Sequence, residues 1–314
     1  MNNSFCLCCG KPIEGQLWHS ACIKRFFGAT ALPEININEN ELKALAVRQL
    51  EGRSGIAGVQ EKLSLHLELR RGERPRLTII GFPSGYILKP QASSYKRLPE
   101  FEHTAMLLAE HCEIPVVPHG LLEINEKKEL AYICKRLDRQ GNKKIHMEDF
   151  CQASGNLTEN KYRSSYEECM AIIKQYSSRS ELDKMLLFKA LYFCFVIGNS
   201  DVHLKNISFI MDDDGKLSLA PFYDFLPTKV ILPSDHEDLG MLFNGRKRDL
   251  HKHDFDQFCK HVCIDANAQR YIMEAINRTE GELARIIDAS CLDQNSKIVW
   301  KKMIHSNIKR AKLP

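Results

Sequence analysis

The chain has 314 residues, 44% hydrophobic and 27% charged, with a formal net charge of +4. This length suits two domains or one two-lobed enzyme, and the slightly positive balance does not imply a partner held by bulk electrostatics, such as nucleic acid at large, which favours small or protein substrates. The longest apolar run, ALYFCFVIG, falls short of the roughly 20 residues that span a bilayer, and no basic segment followed by an apolar one opens the chain, so a soluble, cytoplasmic protein without a membrane partner is expected.

Residues 1–30 form a compositionally distinct module in which Cys6, Cys8, Cys9, His19 and Cys22 cluster around Gly10, Pro12 and Gly15. Cys6-x2-Cys9-Gly10 has the form of a metal knuckle, and His19-x2-Cys22 supplies a second pair nine residues on. Four N/S ligands suit tetrahedral Zn²⁺ in a structural role, with no position left open for water; Cys8 is a bystander or substitute ligand. The ordinary alternative is a set of thiols near a terminus. The later cysteines stand singly among apolar or helical stretches and are expected to be reduced and buried.

A short helix is predicted at NELKALAVRQL, followed by EGRSGIAGVQEK with Gly52, Gly55 and Gly58. KLSLHLEL alternates apolar and polar residues as a half-buried strand does, and RLTIIG, GYILKP, HGLLEI and LAYICKRL are further strands. Pro99 suits the first turn of a helix over PEFEHTAMLLAEHC. The second half changes character. Tyr166–Tyr176 is predicted helical, Ser180 with Asp183 is expected to make a capping box for ELDKMLLFKALYFCFVIG, and DDDG joins two short strands in ISFIMDDDGKLSLAPFYD. Beyond Asp254 the pattern is helical to the end.

The expected class is therefore α+β, a two-lobed protein-kinase-like fold. A β-rich N-lobe over 31–135 follows the Cys/His module, and a mainly helical C-lobe covers 136–314.

Phosphoryl transfer needs a carboxylate for the attacking hydroxyl, oxygen ligands for Mg²⁺, a cation on the phosphates and a backbone cradle. In GNSDVHLKNISF, Asp201 precedes Asn206 by five positions, the interval between base and metal ligand in a protein-kinase catalytic loop. Asp224, beyond the hairpin, can return to the same metal. Lys89 ends a strand, and Gly55 and Gly58 let backbone amides approach phosphate. Each part alone has an ordinary reading as a turn, a buried carboxylate or a solvated strand end; their order along the chain is the specific signal.

SGIAGVQEKLSL, GYILKP, KRLDR, MEDFCQASG, GNSDVHLKNISF and PFYDF, in that order, resemble the HipA family of bacterial serine/threonine protein kinases, toxins of toxin–antitoxin modules. The resemblance implies that Asp201 is the base, that Asn206 and Asp224 hold Mg²⁺, and that Lys89 contacts ATP phosphates while His203 and Lys205 brace the loop or neutralise phosphate charge. It also implies that Gly55, Ala57, Gly58, Val59 and Gln60 form the phosphate loop, and that AYICKRLDR joins the lobes, its backbone near Lys135 and Leu137 meeting adenine with Asp138 fixing the geometry.

HipA proteins are typically longer before the Gly-rich loop. The chain looks instead like the shorter HipT branch, which implies a small HipS-like protein and a DNA-binding HipB-like antitoxin as partners, with no direct nucleic-acid binding. The family's autophosphorylated serine has no exact counterpart; Ser54, displaced by one, is the candidate. The implied substrates are aminoacyl-tRNA synthetases, glutamyl- or tryptophanyl- first. The alternatives are a phosphoinositide-type lipid kinase, disfavoured by the absence of a basic or amphipathic membrane-binding segment, and a non-catalytic kinase-fold scaffold. Export into another cell is an alternative location.

Overall fold

The computed structural model describes residues 4–35, 62–78, 84–125, 127–141 and 143–312. The predicted helix NELKALAVRQL and the Gly-rich loop, including Ser54, Gly55, Ala57, Gly58, Val59 and Gln60, lie outside the described residues. The chain divides into two compact units, one of Met1–Leu107, Val117–Lys144 and Ala289–Leu292, the other of Leu108–Val116, Ile145–Asp288 and Asp293–Pro314.

The first unit contains α1 (Ser20–Phe27), β1 (Glu34–Ile35), β2 (Leu63–Glu68), β3 (Arg76–Thr78), β4 (Tyr86–Lys89), most of α2 (Leu98–His111), β5 (His119–Glu123), β6 (Leu130–Lys135) and a ribbon of β7 (Arg139–Gln140) with β8 (Lys143–Lys144). Its main sheet runs β1-β3-β2-β4-β6-β5, antiparallel except where β1 joins β3. The predicted alternation in β2 holds at its start, where Leu63 and Leu65 are buried and Ser64 is exposed. The central strands are buried on both faces, with Leu88, Ala131, Tyr132 and Ile133 fully enclosed.

Residues 98–106 of α2 are buried without a polar face, Glu100 and Glu102 included. Carboxylates in such a place require partners. The N-terminal module packs on the same sheet: Trp18 donates its indole N–H to the Leu121 carbonyl at 2.9 Å, and the Leu121 amide donates to the Leu7 carbonyl at 2.8 Å. Gly120 makes this possible, since a Cβ there would lie 2.5 Å from the Trp18 ring.

In the second unit β9 (Met147–Asp149), β10 (Ser208–Met211) and β11 (Leu217–Leu219) form a sheet in the order β11-β10-β9. The β10–β11 connection is the predicted hairpin, with Asp212 Oδ1 accepting from the Asp214 and Lys216 amides at 3.0 and 2.8 Å. The helices are α3 (Phe150–Ala153), α4 (Tyr166–Tyr176), α5 (Ser180–Ile197), α6 (Thr228–Ile231), α7 (Lys252–His261), α8 (Ala266–Arg278), α9 (Glu280–Asp288) and α10 (Gln294–Arg310). Every residue of α5 from Ala190 to Ile197 is buried, and the helix packs against α4, α8 and α10 as the axis of the unit's core.

Two expectations require correction. The Ser180/Asp183 capping box does not form: Ser180 lies inside α5, Arg179 occupies the cap position, and Asp183 Oδ2 instead accepts from the Leu219 amide and the Ser177 hydroxyl, both at 2.7 Å. A buried backbone N–H on β11 outcompetes the helix's own first turn for that carboxylate. All twelve cysteines are free thiols, as expected, but Cys263 is exposed and Cys291 half-buried. No helix among the described residues is long and apolar enough to cross a membrane.

Candidate active site

In the first unit the candidate cation is Lys89, the last residue of β4. Register opposite Tyr132 of β6 puts both side chains on one face, and the ammonium lies 5.2 Å from the centre of the Tyr132 ring. Lys89 Nζ is 2.5 Å from Glu102 Oε1 on α2, in a pair whose side chains are 5% and 0% exposed. Such burial makes the pair interdependent, because removing either charge strands the other without solvent. Protein kinases hold their phosphate-binding lysine by the same device, a strand lysine paired with a helix glutamate.

The strand end beyond β6 is equally well defined. Arg136 grips Asp138 with two bonds, at 2.9 and 2.8 Å, and Arg139 adds a third at 2.5 Å. The Arg136 guanidinium holds the Asp138 carboxyl below its ordinary range. The amides of Lys135 and Arg136 are taken by the carbonyls of Pro118 and Gly85. The Lys135 side chain turns to the N-terminal module, lying 5.6 Å from the Phe26 ring centre.

In the second unit α5 stops at Gly198 and delivers the chain into residues 199–206. The last carbonyls of a helix have no partners within it. Here α10 supplies them: Trp300 Nε1 donates to the Ile197 carbonyl at 3.0 Å and Asn307 Nδ2 to the Phe195 carbonyl at 2.8 Å. The loop that follows is pinned at each step. Asn199 Oδ1 accepts from the Asp201 amide at 3.1 Å, Thr228 Oγ1 from the Ser200 amide at 2.7 Å, and the Val202 carbonyl from the Tyr166 hydroxyl at 2.8 Å.

Asp201 is half-buried and accepts a short hydrogen bond from the Tyr162 hydroxyl. Burial, reinforced by this carboxylate, pushes the Tyr162 phenol above the ordinary tyrosine range, so Tyr162 stays a donor. The Tyr162 ring meets His203 edge-on, 4.7 Å between centres. His203 is buried beneath the loop, its amide donating to Asn206 Oδ1 at 3.1 Å. Lys205 stands at the rim, 3.7 Å from Asp149 and 37% exposed.

The Lys205 carbonyl accepts from the Tyr223 hydroxyl at 3.0 Å, and the same hydroxyl is 2.6 Å from Ser208 Oγ. Tyr223 therefore ties the loop to the residue that follows it, Asp224, whose φ of +61° lies in the left-handed region. Aspartate is among the few side chains that tolerate this conformation, and residues held in it cluster at functional sites. Asn206 and Asp224 offer only oxygen donors, hard ligands of the kind Mg²⁺ takes, and an amide oxygen that already accepts one N–H retains a lone pair. The donor chemistry thus fits Mg²⁺.

Against known families, residues 54–283 match the HipA-like C-terminal domain. The chain belongs to the HipA-like family. "Putative kinase Y4mE" of Sinorhizobium fredii is 32% identical over 265 residues, and a Haemophilus influenzae protein with the same kinase designation is 25% identical over 276. These alignments each cover 79% of the chain; they span 61% of the first relative and 79% of the second.

Among solved structures, HipA of Shewanella oneidensis, determined with HipB and operator DNA, superposes with a TM-score of 0.69 at 20% identity, covering 83% of this chain and 66% of that one. The Helicobacter pylori proinflammatory kinase CtkA superposes with a TM-score of 0.54 at 13% identity, covering 74% and 90%. The two-lobed kinase-like fold is thereby established for this HipA-like chain.

Two residues of the site carried no signal of their own in the sequence. Glu102 is one of several acids in the α2 pattern and is distinguished only by packing against β4. Tyr162 lies 39 positions before Asp201 and reaches it only through the fold. In the N-terminal module the structure brings together Cys6, Cys9, His19 and Cys22.

Proposed function

We propose that this HipA-like chain is an ATP- and Mg²⁺-dependent protein serine/threonine kinase acting as the toxin of a bacterial toxin–antitoxin system. The observation that carries the reading is the buried Lys89–Glu102 pair, present in a chain of this family that also bears the Asp201–Asn206 loop. Asp201 receives the proton of the attacking hydroxyl as its oxygen bonds to the γ-phosphorus and the bond to the departing ADP oxygen breaks. Lys89, held by Glu102, contacts the ATP phosphates. Asn206 and Asp224 hold Mg²⁺, which when bound neutralises charge on the phosphates.

Tyr162 orients the Asp201 carboxylate. His203 braces the loop from below, and Lys205 at the rim is the member suited to neutralising phosphate charge. Lys135, Leu137 and Asp138 border the adenine; with the Lys135 and Arg136 amides already engaged, the Leu137 backbone is the better candidate for the base. Gly55, Ala57, Gly58, Val59 and Gln60 cradle the phosphates.

The substrate class is an aminoacyl-tRNA synthetase, whose phosphorylation blocks translation. Phosphate on Ser54 would bring about two negative charges to the phosphate loop and inhibit the enzyme. The HipB-containing complex of the Shewanella relative supports a HipB-like antitoxin as partner. Labelled ATP added to a bacterial extract with purified protein tests the reading. A labelled band near synthetase size that disappears with Asp201→Asn is expected; label appearing only in lipid, or equally with both proteins, would overturn it. Phosphopeptide mapping of inactive protein with no phosphate on Ser54 would remove the regulatory element.

A further inference from the structure

Four side chains of the N-terminal module converge although they lie on two separate pieces of chain. Cys6 and Cys9 flank a tight turn, in which the Cys6 amide donates to the Lys11 carbonyl at 2.8 Å and the Gly10 amide to the Cys6 carbonyl at 2.9 Å. Gly10 has φ of +65°, the left-handed conformation that closes this turn. His19 precedes α1 and Cys22 lies on its first turn. The Sγ atoms of Cys6, Cys9 and Cys22 and the His19 nitrogen all lie within 4.8 Å of one another.

A tetrahedral zinc site with Zn–S of about 2.3 Å and Zn–N of about 2.0 Å has ligand–ligand edges of about 3.5–3.8 Å. His19 Nδ1 is 3.4 Å from Cys9 Sγ and 4.0 Å from Cys22 Sγ, which straddles that range. The surrounding groups are those a metal site needs. His19 Nε2 is 3.0 Å from the Pro12 carbonyl, which can only accept, so Nε2 carries the proton and Nδ1 presents its lone pair to the three sulfurs. The His19 amide donates to Cys6 Sγ at 3.4 Å, a bond that favours thiolate. Cys8, two residues from Cys6, faces the His119 carbonyl instead and takes no part.

We propose that Cys6, Cys9, His19 and Cys22 bind one structural zinc ion that staples the N-terminal knuckle to α1, the helix that packs on the sheet bearing Lys89. On binding, three Zn–S bonds and one Zn–N bond form and the three thiols release their protons to solvent. Four protein ligands fill the coordination sphere, so the metal has no catalytic position. The knuckle it closes holds Leu7 and Trp18 on β5, and α1, which carries Cys22, lays Phe26 and Phe27 against Tyr86 of β4, with ring centres 5.7 and 5.4 Å away. The Tyr86 hydroxyl donates to the Phe26 carbonyl at 3.2 Å. Lys89 is three residues further along the same strand, so the metal braces the cation without touching it. This inference is independent of the phosphotransfer reading.

Full-length protein purified without chelator is assayed for metal by mass spectrometry, alongside Cys9→Ser, Cys22→Ser and the control Cys8→Ser. The expected result is about one zinc per chain in wild type and Cys8→Ser and a several-fold loss in the two ligand variants. Because those variants can fail to fold, wild type is also loaded with Co²⁺, which should develop the thiolate-to-cobalt absorption and visible bands of a tetrahedral site. Chelation should lower the melting temperature of wild type. Zinc at background in wild type, or cobalt binding without thiolate bands, would overturn the proposal.

Discussion

Lys89 is held in place by one buried opposite charge, whereas the loop carrying Asp201 is held chiefly by neutral hydrogen bonds spread over Asn199, Thr228, Tyr166, Tyr223 and the α10 side chains behind it. The first arrangement concentrates opposite charges in a buried pair, so removal of either partner is costly. The second distributes its support, so that a single deletion costs less than breaking the buried pair, and the carboxylate is half-exposed. In the proposed function, a cation that keeps one position on a nucleotide and a base that meets a protein hydroxyl would place different demands on the fold, and the two modes of support match them.

The comparison is sharpened most by Glu102→Gln, which leaves the Lys89 ammonium buried beside a neutral group. A loss of about 3–5 kcal/mol in chemical denaturation is expected. Lys89→Met with Glu102→Leu should recover most of that stability while leaving phosphotransfer abolished; a double variant no more stable than the single one would show that the pair is not the seat of the energy. Asn307→Ala, which strips the Phe195 carbonyl of its side-chain donor, should cost about 1–3 kcal/mol in the same assay. Tyr162→Phe removes one bond to Asp201 and should cost about 1 kcal/mol or less, with a fall in transfer rate and intact nucleotide binding. A larger stability loss there than for Asn307→Ala would break the picture of a distributed network.

At Asp238 the expected effect is a pH dependence that is absent near neutrality. Burial works against its ionised form, but Arg310, Lys229 and the Leu250 amide outweigh it and hold the carboxyl below its ordinary range. A depressed pKa in the folded state favours the fold above the unfolded value, about 3.8–3.9. Stability should therefore be unaffected at neutral pH and fall as pH drops through and below about 4. Asp238→Asn, destabilised at pH 7, should show a shallower acid decline than wild type when unfolding is followed by circular dichroism.

Much of this was legible in the residues themselves. The strand and helix patterns, the 208–219 hairpin and the order Lys89, Asp201, Asn206, Asp224 are local signals, each set by a few neighbouring residues. Partnerships between distant segments were not legible. Glu102 is distinguished from Glu100 only by which side of the buried stretch 98–106 faces β4, and Tyr162 only by the path that brings it to Asp201. The misread capping box has the same origin: Asp183 satisfies the local pattern, yet its carboxylate is claimed by the Leu219 amide, 36 residues on. Local pattern sets the elements, and competition for buried polar partners decides where the side chains go.

The most direct test of the account measures MgATP binding by calorimetry and phosphate transfer to protein on the same preparation of Asp201→Asn. The account predicts binding close to wild type, since the Lys89–Glu102 pair is untouched, with transfer reduced by about 10²–10⁴-fold. Transfer at the wild-type rate would contradict it.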